Sequence, residues 1–297
     1  MREILIRGML GLGDNILQRP FVRAAAAQYD DVYLETPWPE LYCDLPVHLC
    51  KRPTSLRSQV KNAAKYHDWA ITPRSPARTV IVSYQNATGS FQSAMEAVLP
   101  LGDVPYSFNL PNYNLPPIDM PSDKPMALVR PVTVRREWRN EARNPRPEYI
   151  EQLAQRLMKT HFVVVVADLL DGEEWLVGNC PPHHLALLRG ELSTPSLLAL
   201  VQAADVCLGG VGWLTVAAIA YRRPVFTVLG GMGGINSIAR ITDPRMMLSS
   251  AGFAIPERFC RCTNMTHACD KTIANLEQTF LNWLAAMRTM PRDIPAG

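Results

Sequence analysis

Short apolar runs alternate with stretches of helical periodicity along this chain, and the alternation restarts half-way. The run FVVVVA at 162–167 is rich in valine along its whole length, which is typical of a strand buried on both faces. Strands of this type separated by helices indicate parallel sheets covered on both sides. The predicted strands are 3–7, 32–35, 80–84, 126–130, 162–167, 206–208 and 225–229. The predicted helices are 15–29, 90–98, 147–160, 196–203, 211–220 and 271–287.

A proline-rich segment separates the two halves. Residues 111–125 contain five prolines, which cannot continue either periodicity, so this segment is predicted to be an interdomain linker. With 297 residues, of which 47% are hydrophobic, the chain can bury two cores. The sequence therefore predicts an α/β protein with two Rossmann-type domains, 1–115 and 116–270, followed by a terminal helical region at 271–297. We expect ligands in a cleft faced by the carboxyl ends of the strands.

The turn after the first strand, GMLGLGD at 8–14, carries the first candidate for chemistry. Gly11 and Gly13 allow close backbone approaches, and the helix that follows offers free N–H groups to an anion. Asp14 has two interpretations at this point, because an aspartate here can cap the helix or act as a general base. The spacing differs from G-x-G-x-x-G, so the turn alone does not decide between them.

Three segments of the chain form an ordered set: GLGDNILQRPFVRAAAAQYDDVYLET at 11–36, LVRPVTVRREW at 128–138, and ELSTPSLLALVQAADVCLGGVGWLTVAAIAYRRPVFTVLG at 191–230. Together they resemble the ADP-heptose:lipopolysaccharide heptosyltransferases of glycosyltransferase family 9. In that family the aspartate of the first turn is the proposed general base, a role that the resemblance carries over to Asp14. The resemblance also implies a GT-B-like fold, a nucleotide-sugar donor in the C-terminal domain, and a terminal helix that crosses back to the N-terminal domain.

The chain departs from this family in the last of the three segments. Where the family has Asp-Ser-Gly-Pro-x-His, residues 209–215 read GGVGWLT, so the acid and the histidine are absent. The resemblance therefore does not extend to adenine-nucleotide or heptose specificity.

Groups suited to a diphosphate follow several predicted strands of the second half. The loop GGMGGINS at 230–237 follows a strand and opens a helix, so its amides are predicted to approach a pyrophosphate, with a flexible turn as the alternative. Thr133, Arg135 and Arg136 follow another strand and offer a hydroxyl and two guanidinium groups. The predicted donor-binding residues are Gly13, Thr133, Arg135, Arg136, Gly212, Thr215, Gly230, Gly231, Gly233, Gly234 and Asn236.

Arginines concentrate between residues 130 and 146. This segment has six arginines and two glutamates, whereas the formal net charge of the whole chain is +3. The concentration predicts a local anion site, and a solvated helical face is the alternative. Trp138, within the segment, either stacks on a base or packs in the protein.

The predicted acceptor side lies at the strand ends of the first half. The polar residues available there are Asn15, Ser83, Tyr84, Gln85 and Asn86. Asp14 would take the proton of an acceptor hydroxyl at this side of the cleft.

Three cysteines and a histidine cluster ahead of the last predicted helix. Cys260, Cys262, His267 and Cys269 fall within ten residues, and such a set suits a closed tetrahedral site for structural zinc. The alternatives are reduced thiols or a redox pair, because the spacing is not one of the common C-x-x-C forms. The chain has seven cysteines and no predicted secretion signal, so a disulfide scaffold is not expected.

The function predicted from these features is glycosyl transfer from a nucleotide sugar to a hydroxyl acceptor, without a metal in catalysis. The alternatives are a phage-type transferase that modifies DNA bases, a sugar-nucleotide epimerase or phosphorylase-like enzyme, and a non-catalytic nucleotide binder. The sequence contains no run long and apolar enough for a membrane helix, and its first residues enter a strand at once. We therefore expect a cytoplasmic protein.

Overall fold

A computed structural model describes residues 2–84, 88–119, 121 and 124–289. Internal contacts divide the chain into two compact units. Unit 1 consists of Met1–Tyr113, Ser193–Pro195 and Ile238–Met246, and unit 2 consists of Asn114–Leu192, Ser196–Ser237 and Met247–Gly297. The sequence predicts the first boundary at residue 115, and the contacts divide the chain after Tyr113.

Strands and helices alternate through most of the described chain. The strands are β1 (Glu3–Arg7), β2 (Asp31–Thr36), β3 (His48–Lys51), β4 (Thr79–Ile81), β5 (Met126–Val129), β6 (Thr133–Arg135), β7 (Phe162–Val166), β8 (Glu174–Leu176), β9 (Leu185–Leu187), β10 (Val206–Gly210), β11 (Val225–Val228) and β12 (Ala251–Ala254). The helices are α1 (Leu12–Gln28), α2 (Arg57–Ala63), α3 (Phe91–Val98), α4 (Pro147–Leu157), α5 (Thr194–Ala203), α6 (Trp213–Ala220), α7 (Gly233–Asn236), α8 (Ile238–Ile241) and α9 (Leu276–Thr289), with a 3₁₀ turn at Pro39–Tyr42.

Unit 1 is built on a parallel sheet with the strand order β3–β2–β1–β4. Ile6 lies opposite Leu34 on one side and Val80 on the other, and all three are buried because the sheet is covered on both faces. Helix α1 packs on β2 and on α3. Since β1 and β4 are parallel neighbours, the residues that follow them leave the sheet side by side.

Unit 2 is built on a second parallel sheet, with the order β12–β11–β10–β5–β7–β9. All five residues of β7 are buried, as the valine run predicts. Helices α4 and α9 pack on this sheet and on each other. Phe226 of β11 contacts Phe280 and Trp283 of α9, with ring centroids 5.1 and 5.2 Å apart. This aromatic cluster fixes α9 on unit 2, and the predicted crossing of the terminal helix to the N-terminal domain stays a prediction.

Some elements differ from the sequence prediction because tertiary contacts determine where they begin or whether they form. The predicted helix 271–287 begins at Leu276, since Lys271 donates to the Glu141 carbonyl and the Ile273 amide donates to the Tyr149 hydroxyl. The antiparallel pair β6–β8 was not predicted. Among the described residues no helix is long and apolar enough to cross a bilayer.

Candidate functional site

The predicted base and one predicted acceptor residue meet at the carboxyl edge of the unit 1 sheet. Asp14 follows β1 as the third residue of α1, and the N-cap of this helix is Gly11, so Asp14 is not the capping residue. Tyr84 follows β4, and its hydroxyl donates to Asp14 Oδ1 at 3.1 Å. The Tyr84 ring stacks on Phe91, with centroids 4.1 Å apart. The structure therefore joins a half-buried carboxylate to a positioned phenol.

The turn that carries Asp14 is held by hydrogen bonds between side chains and several of its peptide groups. Gln18 Oε1 accepts from the Met9 amide at 2.7 Å. Asn15 Nδ2 donates to the carbonyls of Met9 and Gly11, at 2.7 and 2.9 Å. A β-carbon on Gly11 would collide with the Asp14 carboxylate, so a larger residue at this position would displace that carboxylate. These bonds fix the backbone that presents Asp14.

Asn15 belongs to a buried polar network below the turn. Its Oδ1 accepts from Thr36 Oγ1 at 2.8 Å and from Gln18 Nε2 at 3.0 Å. The Tyr42 hydroxyl donates to the Asn15 carbonyl at 2.9 Å, and burial raises the pKa of Tyr42, so it is a neutral donor. The sequence predicts Asn15 as an acceptor-binding residue, whereas the structure places it at 0% exposure with both ends of its amide bonded. Its role in this geometry is to position the turn.

Two predicted acceptor residues, Gln85 and Asn86, lie outside the described residues. Ser83 lies beside Tyr84 in the segment after β4.

In unit 2, a guanidinium lies against the N-terminus of α6. Arg130 follows β5, and a β-carbon on Gly212, the N-cap of α6, would lie 2.5 Å from Arg130 Nη1. Desolvation lowers the pKa of Arg130 to about 10, helped by the charges of Arg135 and Arg143 and opposed by Glu174. Arg130 still carries its charge at neutral pH. A cation at the positive end of a helix dipole is an unfavourable arrangement that an anion would relieve.

The predicted pair Thr133 and Arg135 lies beside this guanidinium. Thr133 Oγ1 donates to Glu174 Oε1 at 2.9 Å, and Arg135 Nε pairs with Glu174 Oε2 at 2.8 Å. Arg136 pairs with Glu173 at 2.6 Å and is mostly exposed. One buried carboxylate thus holds two of the predicted donor residues beside Arg130.

Two predicted donor residues lie in the protein interior. Thr215 is 1% exposed, and its hydroxyl lies 2.9 Å from that of Thr227. Asn236 is 5% exposed, and its Nδ2 donates to the Met232 carbonyl at 3.4 Å. These side chains are used in packing.

The glycine loop 230–234 packs against protein on the side where side chains would be. A β-carbon on Gly230 would collide with the Asn144 carbonyl, and one on Gly233 would lie 2.6 Å from Phe259. The amides of Gly233 and Gly234 donate to carbonyls at 2.7 and 3.1 Å, so neither is open to a phosphate. The need for glycine here is explained by close protein packing, and contact of this loop with a diphosphate stays a prediction.

The predicted metal ligands come together in one cluster. Cys262 Sγ lies 3.5 Å from Cys269 Sγ, and His267 Nδ1 lies 3.3 Å from Cys269 Sγ and 3.5 Å from Cys260 Sγ. All four ligand atoms lie within 4.8 Å of one another. Zinc bonds of about 2.3 Å to sulfur and about 2.0 Å to nitrogen separate tetrahedral ligand atoms by about 3.5–3.8 Å. The cluster therefore fits a metal ion.

The thiols of this cluster differ in acidity. The Cys262 amide lowers the pKa of Cys260 by donating to its sulfur, whereas burial raises the pKa of Cys269 to about 11.

Several residues that shape these sites were not singled out from the sequence. Gln18, Thr36 and Tyr42 hold the Asp14 turn, and Arg130 lies at the α6 N-terminus. The sequence does contain a signal for Gln18, because Asn15 and Gln18 are one helical turn apart on either side of the apolar pair Ile16 and Leu17. Polar residues at such positions indicate a buried hydrogen-bond network.

No protein-family model matches the chain, and no curated protein matches it significantly. Several solved structures do match the chain. The E. coli ADP-heptose lipopolysaccharide heptosyltransferase II is 14% identical, with a TM-score of 0.54, and the match covers 97% of this chain and 98% of that one. The iron-containing dodecameric glycosyltransferase TibC from enterotoxigenic E. coli is 12% identical, with a TM-score of 0.60 and coverage of 97% and 79%. A glycosyl transferase family 9 structure from Veillonella parvula is 10% identical, with a TM-score of 0.51 and coverage of 84% of each chain.

These likenesses lie at the level of the fold, because the identities are low. They extend over nearly the whole chain, and they include the family that the three sequence segments resemble. The chain thus has the GT-B fold of two Rossmann-type units, similar to the heptosyltransferases and to glycosyltransferase family 9.

Proposed function

We propose that this protein is a glycosyltransferase that moves a sugar from a nucleotide-sugar donor to a hydroxyl acceptor. The observation that carries the proposal is the guanidinium of Arg130 at the N-terminus of α6, with Arg135 and Arg143 nearby. This arrangement lies at the carboxyl ends of parallel strands, where α/β folds bind ligands. TibC, a neighbour in fold, has been solved in complex with ADP-D-beta-D-heptose. A nucleoside diphosphate would place its negative charge beside the Arg130 guanidinium and the N-terminus of α6.

The proposed transfer step needs a base and groups that stabilise the leaving diphosphate. The acceptor oxygen forms a bond to the anomeric carbon as the bond from that carbon to the diphosphate breaks. Asp14 receives the acceptor proton, and the hydroxyl of Tyr84 orients the carboxylate. Arg130 and the α6 N-terminus stabilise the charge of the leaving diphosphate, so that catalysis needs no metal.

The donor site is tested by comparing Arg130→Ala with Arg139→Ala. Arg139 belongs to the same arginine-rich segment, but it is 60% exposed and lies 3.8 Å from Glu141. Calorimetric titrations use ADP, GDP and UDP, with the matching nucleosides as a reference. Because Arg130→Ala loses a charge-assisted hydrogen bond, its affinity for the diphosphate should fall by about tenfold or more, while its affinity for the nucleoside stays unchanged. Arg139→Ala should bind both ligands as wild type does.

Other outcomes separate the alternatives. Equal losses for nucleoside and diphosphate contradict an anion site at Arg130. Diphosphate binding without any hydrolysis of nucleotide sugars identifies a non-catalytic binder. Conversion of a nucleotide sugar in the absence of any acceptor identifies an epimerase or a phosphorylase-like enzyme. Binding of DNA that weakens steeply with salt identifies a DNA-modifying transferase.

The protein is also proposed to hold one structural zinc ion at Cys260, Cys262, His267 and Cys269. The ligand distances support a closed site, and four protein ligands leave no open position for catalysis. The ion would supply cross-linking of a segment that has little core of its own. Elemental analysis of purified protein should find about one zinc per chain, and less than about 0.2 contradicts the proposal. Iron is measured in the same sample, because TibC is an iron-containing protein.

A further inference from the structure

The segment 260–269, here called the Cys/His knuckle, is the support of the glycine loop 230–234. The Gly233 amide donates to the Cys260 carbonyl at 2.7 Å, and the Gly234 amide donates to the Cys262 carbonyl at 3.1 Å. Two of the proposed metal ligands thus also offer their own carbonyls to the loop. Movement of either ligand moves the acceptor of a loop hydrogen bond.

A third ligand contacts the same loop through its side chain. A β-carbon on Gly231 would lie 2.5 Å from Cys269 Sγ, so only glycine leaves room for this sulfur. The amide of Met232 also donates to the Cys269 sulfur. Hydrogen bonds from amides to a ligand sulfur are the outer-shell contacts by which metal sites and their surroundings fix each other.

The knuckle holds a second segment, residues 141–144, which leads to the proposed donor site. The Ala142 amide donates to the Met265 carbonyl at 2.8 Å. The next residue is Arg143, whose charge acts on Arg130. Asn144 then donates from its Nδ2 to the Thr133 carbonyl at 2.9 Å. A continuous set of contacts therefore runs from the knuckle to the arginines around Arg130.

The knuckle has no apolar core of its own. Residues 260–269 form no helix or strand, and none of them is buried. A segment of this kind lacks the apolar burial that orders a chain, so its structure depends on cross-links.

We propose that metal loading of the Cys/His knuckle controls the affinity of this protein for nucleoside diphosphates. With the metal bound, the knuckle holds the glycine loop and Arg143 in place beside Arg130. Without it, these segments lose their support while the parallel sheet of unit 2 stays folded. This inference rests on the proposed donor site. It gives the metal a regulatory role in addition to the structural role of cross-linking the segment ahead of α9.

The test compares metal-loaded protein, chelator-treated protein and protein to which zinc has been returned. The probe is whichever of ADP, GDP and UDP the loaded protein binds most tightly. We expect metal removal to weaken binding by about tenfold or more and zinc to restore it. Hydrogen exchange is followed in parallel, and peptides covering 230–236 and 140–144 should exchange faster without metal, while a peptide covering β5 should not change.

Two variants make the comparison independent of the chelator. Cys262→Ser removes a ligand and should reproduce the chelated state, whereas Cys43→Ser removes an exposed cysteine of unit 1 and should behave as wild type. If Cys262→Ser does not fold, the chelation and zinc-return series carries the test.

The failures of the two proposals are distinguishable. If the loaded protein binds none of the three diphosphates, the proposed donor site is wrong. If loaded and metal-free protein bind with equal affinity and exchange at equal rates, the metal control is wrong and the donor site stands. Faster exchange in β5 as well overturns the inference, because the metal would then hold the whole unit. A protein that retains no metal after zinc addition overturns it too.

Discussion

Two glycine-containing turns, one in each unit, follow parallel strands, and different chemistry holds them. The turn before α1 is fixed from below by the buried amides of Asn15 and Gln18, which bond to its peptide groups. The loop 230–234 is fixed from outside by carbonyls and a sulfur of the Cys/His knuckle. The first support is a buried polar network, and the second is a segment without buried residues that carries the proposed metal ligands.

Because their supports differ, the two turns should be disturbed by different changes. A turn held by buried amides is rigid as long as the unit is folded, because unsatisfied amides in the core are costly. A loop held by an exposed knuckle can be released while the sheet stays folded. The Asp14 turn should therefore respond to mutation and the glycine loop to the state of the knuckle.

The largest expected effect is on catalysis at the rigid turn. Asp14→Asn keeps the size of the side chain and removes the proposed base, so transfer should fall by about 10²-fold or more. Diphosphate binding and the melting temperature should stay close to wild type, because the Asn15 and Gln18 bonds remain. Transfer and thermal unfolding are measured on the same preparation. Unchanged turnover with a lower melting temperature would mean that Asp14 only stabilises the helix.

Asn15→Ala breaks the support of that turn. The substitution removes the side-chain amide that accepts from the Thr36 hydroxyl and from Gln18 Nε2 and that donates to two turn carbonyls, so we expect a loss of about 1–3 kcal/mol in the free energy of unfolding. Asn282→Ala, at an exposed position of α9, is the matched control and should change stability by less than about 0.5 kcal/mol. Urea unfolding measures both. Similar losses in the two variants would contradict the structural role of Asn15.

Gly233→Ala breaks the support of the second loop. The new methyl group would meet Phe259 and the Cys260 carbonyl, so the knuckle must shift, and metal affinity should fall by about tenfold. Gly89→Ala is the control, because the nearest atom to its β-carbon would be 3.6 Å away. Competition with a chromogenic chelator measures the affinity. Equal metal affinity in both variants would separate the loop from the knuckle.

Tyr84→Phe has the smallest expected effect and sharpens the role of the rigid turn. The ring stack on Phe91 is kept and one hydrogen bond to Asp14 is lost, so transfer should fall by about twofold to tenfold. Transfer rates of the variant and of wild type are compared on matched preparations. An unchanged rate would mean that Tyr84 acts through packing alone.

The sequence could predict what depends on local pattern. The valine run of β7, the strand before the Asp14 turn and the alternation of α and β follow from periodicity, and the structure confirms them. The clustering of Cys260 with Cys269 follows from their short spacing. Each of these features involves residues close in the chain.

What the sequence could not predict depends on distant partners. The short strands β6 and β8 form only because they pair across about forty residues, and neither has a periodicity of its own. Four glycines in five residues favour an open phosphate loop in sequence, but their α-carbons are covered by residues 142–144, by Phe259 and by the knuckle. The amides of Gly233 and Gly234 donate to knuckle carbonyls. The position of Arg130 against Gly212 likewise joins two segments more than eighty residues apart.

Unit 1 is made of three separate segments of the chain, and this limits where the chain can be divided by recombination. Residues 238–246 are distant in the gene, yet Asp243 is 4% exposed and accepts from Ser90, while Arg245 pairs with Glu96 at 2.8 Å. Thr194 similarly donates to the buried Asn62 at 2.6 Å. A crossover at the proline-rich segment would separate these partners and leave buried polar groups unsatisfied. Functional hybrids with a related chain must therefore exchange residues 193–195 and 238–246 together with the first 113, so that the inherited module is discontinuous.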